Sequence, residues 1–367
     1  MFDTIVIGGG IIGAACAAEL KKRGQNVLVL DSSQPGTGVT AACMGHVVVM
    51  DDSPSMLQFT RYSRDLWTEL SNELPDNCED FMPGTLWVAE DDDEMLEAVR
   101  KKQIFEQAGI KCEIVDREDI LNLEPNLKKG LAGGLRICED RVVYPTNCVR
   151  YLLRDIEVRA NCKVTGIEKN IVKLADGNSL SAENIVVASG LGTTALLDLP
   201  VVPKKGHLAI TQRYPGFVNH QIIELGYIKK AHGAASASTA FNIQPRKNGQ
   251  MILGSSREYS GDDKSINQNI LEEMLKKSVY FLPGLSKLKC LRVWTGMRPS
   301  TPDGVPYIGR FKEENLFVCA GHEGLGITTS LASAKIIAAQ IHGEKPEIDD
   351  TLYSPNRVLT GELAHEH

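Results

Sequence analysis

The chain commits itself to a βαβ unit within its first 31 residues. Residues 2–7 form a short apolar run, Gly8, Gly10 and Gly13 follow in G-x-G-x-x-G spacing, and residues 14–18 are small. A second apolar run at 27–30 is closed by Asp31. Strand, glycine turn, helix, strand and acid each have a task in this order. Gly8 makes the tight turn, Gly10 admits a pyrophosphate close to backbone, and Gly13 lets the helix pack near the sheet. Ile11 and Ile12 open that helix, whose free N–H groups and positive dipole end suit an anion. Asp31, with Ser32 beside it, falls near the spacing of an acid that holds a ribose hydroxyl. The unit predicts dinucleotide binding and leaves NAD and FAD open.

The remaining composition narrows the class. A chain of 367 residues predicts two domains by default, with one large core as the alternative. The net charge of −7 gives no basic footprint for nucleic acid. No apolar run reaches the length of about 18 residues that a membrane span needs. The chain enters a strand without a basic leader, so no secretory signal is expected. Nine scattered cysteines with no C-x-x-C pair predict reduced thiols, a cytoplasmic location, and neither an iron–sulfur cluster nor structural zinc. Cys43 is expected to be a small core residue.

Residues 32–45 form a loop rich in Gly, Ser, Thr and Ala, against which a ligand can lie close to backbone. Helices are expected over 54–74, from the acidic run 90–94 to about 108, and over 144–156 behind Pro145. The acids at 90–94 suit a helix first turn, so they predict a solvated start rather than a metal site. Residues 163–180 predict a single hairpin turned at Asp176-Gly177, and 185–188 a buried strand. Alternating strands around 208–212, 241–244 and 251–254, with a helix near 266–281, predict an antiparallel sheet. From residue 293 the glycine-turn style returns, with a strand at 316–320 and an apolar helix at 327–341.

Two late segments carry chemistry. In WTGMRPSTPDGVPYIG (294–309) the Pro and Gly density predicts a turning loop that holds Arg298 on constrained backbone, as a fork for a carboxylate or as a packing ion pair. In AGHEGLGI (320–327) glycines precede a helix, preparing an electrostatic site for an anion or a carbonyl that gains charge.

Six motifs then fall into a familiar order: GGGIIGAACAAELKKRGQNVLVLD, GTGVTAACMGH, IVVASG, PKKGH, MRPSTPDGVPYIG and AGHEGLGITTS. Together they resemble the FAD-dependent D-amino acid oxidase superfamily over nearly the full length. QPRKNGQMILGSSRE (244–258) and AGHEGLGITTSLASAKIIA most resemble the β-type flavin subunits of D-hydroxyproline dehydrogenase and hydrogen cyanide synthase. The resemblance implies a discontinuous Rossmann-like FAD-binding domain (1–80, 140–200, 290–367) with an inserted, mainly antiparallel α+β substrate domain (81–139, 201–289). It implies that Gly8, Gly10, Gly13 and Asp31 bind the ADP half. Thr40, Ala41, Ala42, Gly45 and His46 would follow the pyrophosphate toward the flavin ring, Val164 would meet the adenine, and Gly190 would lie near the ADP half. Gly324, Leu325, Gly326 and Ile327 would border the flavin pyrimidine, and Arg298 would hold the substrate carboxylate.

The implied reaction oxidises a C–N bond of a small amino or imino acid by hydride transfer to flavin N5. The reading favours a D-amino acid or D-hydroxyproline-type dehydrogenase; the alternatives are an oxygen-using glycine or sarcosine-type oxidase and a flavin subunit of a hetero-oligomer. A second flavoprotein with an iron–sulfur subunit, or a quinone acceptor, fits the β-type resemblance. An NAD enzyme is the weakest reading. No cysteine occurs at 298–309, so FAD is expected to be non-covalent. Ala240 and Asn242 stand where glycine oxidase has a histidine and a tyrosine, so the substrate pocket is expected to differ. His46 is the candidate titrating group near the ring, with a core or spacing role as its alternative; His322 is expected to shape the helix entry, and His207 and His232 have no assigned role.

Overall fold

The computed structural model describes residues 2–226, 237–259 and 261–360; His232 lies outside them. Strand Phe2–Ile7 takes the centre of an eight-stranded sheet. It pairs in parallel with Val27–Leu30 on one side and Ser179–Val187 on the other. Glu157–Arg159 and Leu316–Ala320 extend the parallel order outward, and Tyr307–Arg310 closes one edge antiparallel. Ile5, Val6, Val29, Val186 and Phe317 are fully buried. Near-continuous apolar runs of this kind belong to parallel strands covered on both faces. The register Ile7↔Leu30 and Ile7↔Val187 aligns the strand ends, so Gly8, Asp31 and Ala188 emerge together at the carboxyl edge. Ligands in open α/β sheets bind at that edge.

The helix Ile11–Lys22 buries Ala14, Ala15 and Ala17, whose small side chains permit close packing. Against it lies Gly326–Ile341, which also packs on Pro54–Ser71. The stretch Glu323–Ile341 is long and apolar enough to cross a membrane by composition alone, but 61% of it is buried inside the protein. Its apolarity is accounted for by these helical neighbours and the sheet. Pro54–Ser71 starts under a Ser53 cap, whose hydroxyl accepts the Met56 N–H. Asp91 caps Asp92–Gln107 in the same way, so the acidic run is a helix start as expected.

The second eight-stranded sheet runs in the spatial order Cys290–Ser300, Val202–Thr211, Met251–Glu258, Ala237–Pro245, Gln221–Glu224, Thr85–Ala89, Gly133–Ile137 and Cys112–Val115. It is antiparallel except where Gln221–Glu224 meets Thr85–Ala89. Phe241, Ile243, Met274 and Phe281 build its core with helix Gln268–Phe281. The architecture is thus a discontinuous α/β Rossmann-like layer with an inserted α+β layer.

Two local expectations change. Residues 163–180 are not one hairpin: Val164–Glu168, Ile171–Leu174 and Ser179–Val187 form a meander. The extra turn is held by Lys169 at φ 52, a residue type that gives no turn signal. Arg298 lies on strand Cys290–Ser300 rather than in a turning loop, pairing opposite Lys204. That strand is a sheet edge, where Pro299 is tolerated.

The glycine turn is sterically exact. An added Cβ at Gly13 would lie 1.8 Å from the Gly8 carbonyl oxygen, and one at Gly8 would lie 2.4 Å from the Ala188 oxygen. Gly13→Val must push the helix off the sheet. Overpacking of this kind costs about 1–3 kcal/mol. Thermal melting and flavin content of the purified protein should both fall; unchanged values would contradict this packing.

Candidate active site

A single cavity of about 1040 Å³ runs from the carboxyl edge of the parallel strands to the face of the second sheet. Ligand pockets usually span about 300–1,000 Å³, so this one has room for a dinucleotide together with a small substrate. Of the residues singled out from sequence, Gly8, Gly10, Ile11, Ile12, Asp31 and Ser32 line one end. Val164 and Gly190 flank it, and Thr40 and Ala42 follow. His46, Arg298 and the turn Gly324, Leu325, Gly326 and Ile327 line the rest. Gly13, Ala41 and Gly45 are not on the wall. Gly13 packs beneath the turn, and Ala41 faces outward. Gly45, at φ +95, sits where a Cβ would meet the Val143 carbonyl oxygen at 2.2 Å.

At the nucleotide end, Asp31 Oδ2 accepts the Gly9 N–H at 2.7 Å, and Oδ1 accepts the Ser33 N–H at 2.8 Å. The acid thereby pins the glycine turn to its own loop. Thr40 Oγ1 accepts the Ile11 N–H at 3.1 Å. The first-turn amides of a helix have no partner within the helix; here Thr40 takes the Ile11 amide, and Ile12 lies on the cavity wall behind the Gly10 cap. The turn is built of glycine backbone that a Cβ would obstruct, and its helix start suits an anion.

The loop between the two ends is held by the second sheet, by a two-stranded ribbon and by helix Gly326–Ile341. Gln244 Nε2 donates to the Met44 carbonyl at 2.7 Å, and Trp294 Nε1 donates to the Ala42 carbonyl at 3.0 Å. His46 and Val47 pair with Val142 and Arg141. Thr328 Oγ1 donates to the His46 carbonyl at 3.2 Å and accepts the Val48 N–H at 3.1 Å. Trp67 Nε1 donates to the Ile327 carbonyl at 3.0 Å, fixing the second glycine turn.

At the far end Arg298 lies flat over Gly206, where an added Cβ would stand 2.5 Å from its Nη2. Its Nη1 donates to the Ser256 carbonyl at 2.9 Å. Burial drives the His46 imidazole down to about 4; a backbone hydrogen bond at Gly324 opposes the shift and the Arg298 charge adds to it. Burial likewise takes His322 to about 3, and its Nε2 meets Ser333 Oγ at 2.9 Å. His207 is held between Ser256 Oγ and the Asn267 N–H, which donates to Nε2 at 2.9 Å. Both ring nitrogens of His207 are therefore used in the fold.

Glu323 adds a group that sequence reading passed over. Its carboxylate lies 3.3 Å from Lys204 Nζ and 3.7 Å from Arg257 Nε. Burial alone would raise its carboxyl; Arg257, Lys204 and Arg298 outweigh that and hold it below the ordinary range. Gly206, Lys204 and Arg257 were equally unmarked. The PKKGH motif contained the first two, but their meaning depends on a strand pairing across some ninety residues.

Cys43, Cys162 and Cys319 also line the cavity. Cys43 donates to the Thr40 carbonyl, and burial pushes its thiol up to about 12; burial raises Cys162 and Cys319 too. None is a thiolate poised for a covalent link. Among the described residues no cluster of His, Cys, Asp and Glu is arranged to hold a metal.

Comparison with known proteins decides what the cavity holds. The model of the DAO family, FAD dependent oxidoreductase, matches residues 3–340. The chain belongs to this family. Glycine oxidase from Pseudomonas putida is 27% identical over 379 residues, spanning 97% of this chain and 99% of the relative. Hydrogen cyanide synthase subunit HcnC from Pseudomonas aeruginosa is 24% identical over 406 residues, spanning 95% of this chain and 94% of that one. The crystal structure of L-proline dehydrogenase from P. horikoshii superposes with a TM-score of 0.89 at 23% identity, covering 99% of both chains. That likeness speaks for the fold. This family member is an FAD-dependent oxidoreductase.

Two outcomes follow from the geometry. Gly206→Ala displaces the Arg298 guanidinium without touching the nucleotide end; the substrate KM should rise about tenfold, with flavin content unchanged. Flavin loss or an unaltered KM would argue against Arg298 resting on Gly206. The second concerns acid. His46 and His322 titrate below the unfolded value near 6.5, so the unfolded chain binds more protons. Their contribution to stability is full above about pH 6.5 and is lost as pH falls through about 4 and 3. Urea unfolding of the apoprotein between pH 7 and 4 should show a shallower loss for His322→Asn than for the wild type.

Proposed function

We propose that this chain is an oxygen-using oxidase of a small amino acid, of the glycine or sarcosine type. The sequence alone leaned toward a dehydrogenase. Full-length similarity to a glycine oxidase favours the alternative. The observation that carries the amino acid part is Arg298, fixed over Gly206 at the end of the cavity away from the Gly8–Gly13 turn.

In this reading Arg298 binds the substrate carboxylate as a charge-assisted pair. Held there, the substrate's α-carbon is oriented rather than merely captured, and orientation supplies much of the barrier reduction. FAD when bound supplies the hydride acceptor. His46, kept neutral beside Arg298, adds no competing positive charge and serves as a spacer rather than a base. Asn242 lines the cavity, and Ala240 is buried on the same strand.

The nucleotide cradle is assigned to Gly8, Gly10, Ile11, Ile12, Asp31, Ser32 and Thr40, with Ala42 and Val164 along it and Gly324–Ile327 at the ring end. A second reading rests on HcnC, a subunit by name: the chain works within a hetero-oligomer and passes electrons to a partner. Within that reading D-hydroxyproline remains a candidate substrate.

Anaerobic bleaching with glycine, sarcosine and both enantiomers of proline and hydroxyproline identifies the donor. Rapid reoxidation in air with peroxide release is expected. Slow reoxidation by air but fast turnover with a dye would overturn the oxidase reading. Arg298→Ala should raise the KM of the best donor by about ten- to a hundredfold, the loss of a charged hydrogen-bond pair, with FAD retained.

A further inference from the structure

The face of the second sheet that borders the cavity carries more positive charge than the reading above uses. Strand Cys290–Ser300 sets Arg298 directly opposite Lys204. Residues so paired share one face of a sheet, and like charges there repel. Arg257 belongs to the next strand, Met251–Glu258. Arg298 reaches toward that strand across Gly206 and donates to the carbonyl of Ser256, the residue before Arg257. All three cations line the cavity. Their chain neighbours Lys205 and Glu258 pair in register and turn to the opposite face. There Lys205 Nζ lies 3.0 Å from Glu258 and 3.3 Å from Asp263.

Among the described residues one carboxylate on the cavity wall answers these three cations. Glu323 lies 3.3 Å from Lys204 Nζ and 3.7 Å from Arg257 Nε. Lys204, Arg257 and Arg298 together hold its carboxyl below the ordinary range, against the effect of burial. The other acids of the wall answer to other groups: Asp31 pins Gly9, Asp303 is bound by Arg357, and Asp52 is exposed to solvent. Three cations against one anion leave this end of the cavity positive. A zwitterionic amino acid is neutral overall, so it occupies Arg298 and leaves the excess in place. Arg257 is the more open of the remaining two: its side chain is 33% exposed, against 16% for Lys204.

Building on the functional reading, we propose that Arg257, with Lys204 beside it, binds a second carboxylate of the donor. The preferred substrate is then a small amino or imino acid that carries two acid groups. Arg298 takes the α-carboxylate, and the forked N–H groups of Arg257 take the other. Lys204 keeps its contact with Glu323 and adds charge. A cleft of one sign also gathers ligands of the opposite sign from solution. An amide of the same shape meets the same cations without neutralising them, so the site selects aspartate over asparagine.

Two measurements test this. The first is turnover of aspartate against asparagine and of glutamate against glutamine, in both enantiomers, beside glycine. Wild-type kcat/KM should favour the acid over its amide by about tenfold or more, the worth of a charged hydrogen bond. The preference should shrink as salt is added. Arg257→Gln should bring the ratio to within about twofold of unity, since the charged partner is gone. The second measurement is binding without chemistry, read from the flavin absorbance of the holoprotein with succinate and with its half-amide, succinamate. Succinate should bind about tenfold more tightly to the wild type. If no amino acid bleaches the flavin while succinate keeps its advantage, the functional reading fails and the second anion site stands. Equal turnover and equal binding of acid and amide in the wild type would overturn the proposal. So would an Arg257→Gln protein that loses acid and amide in equal measure, which would make Arg257 a support for Glu323 rather than a ligand.

Discussion

The contact of Gly13 with the Gly8 carbonyl governs the rest of the molecule. Because neither residue carries a Cβ, the first helix lies tight against the central strand and its N-terminus opens at the strand ends. Parallel pairing sets Asp31 and Ala188 at that same edge. One steric allowance thereby aims a helix dipole, an acid and a row of strand ends at a single line of space. A larger side chain at either glycine would move the helix, and every other part of the cradle is measured from it.

The Arg298 end of the cavity rests on a different device. Arg298 needs a flat floor, and Gly206 on the adjacent strand provides it. Gly296 stands opposite Gly206 and brings the edge strand within reach of Ala42, where its missing Cβ would lie 3.0 Å from the alanine methyl. The two ends of the cavity thus use the same physical trick, backbone in place of side chain, for unlike purposes. At one end it exposes amides to an anion; at the other it seats a guanidinium.

The nucleotide end was legible in sequence because its signals are local. Glycine spacing, apolar runs and Asp31 lie within one βαβ unit, and their tasks follow from chain geometry. Arg298 was singled out as well, but on the wrong backbone: the Pro and Gly around it mimic a loop, whereas pairing with Val202–Thr211 makes it a strand. Gly206, Lys204, Arg257 and Glu323 carried no local signal, because each gains its meaning from strands or turns remote in sequence. The meander at Lys169 was missed for a related reason, since the positive φ there is imposed by flanking strand pairing rather than by residue type.

The middle loop has a further consequence. Its carbonyls at Ala42 and Met44 are bonded to Trp294 and Gln244, side chains that belong to the second sheet. The wall of the nucleotide channel is therefore partly suspended from the layer that roofs the substrate space. Parting the layers to admit a bulkier molecule would slacken that wall, so breadth of substrate choice and grip on the coenzyme are opposed in this architecture.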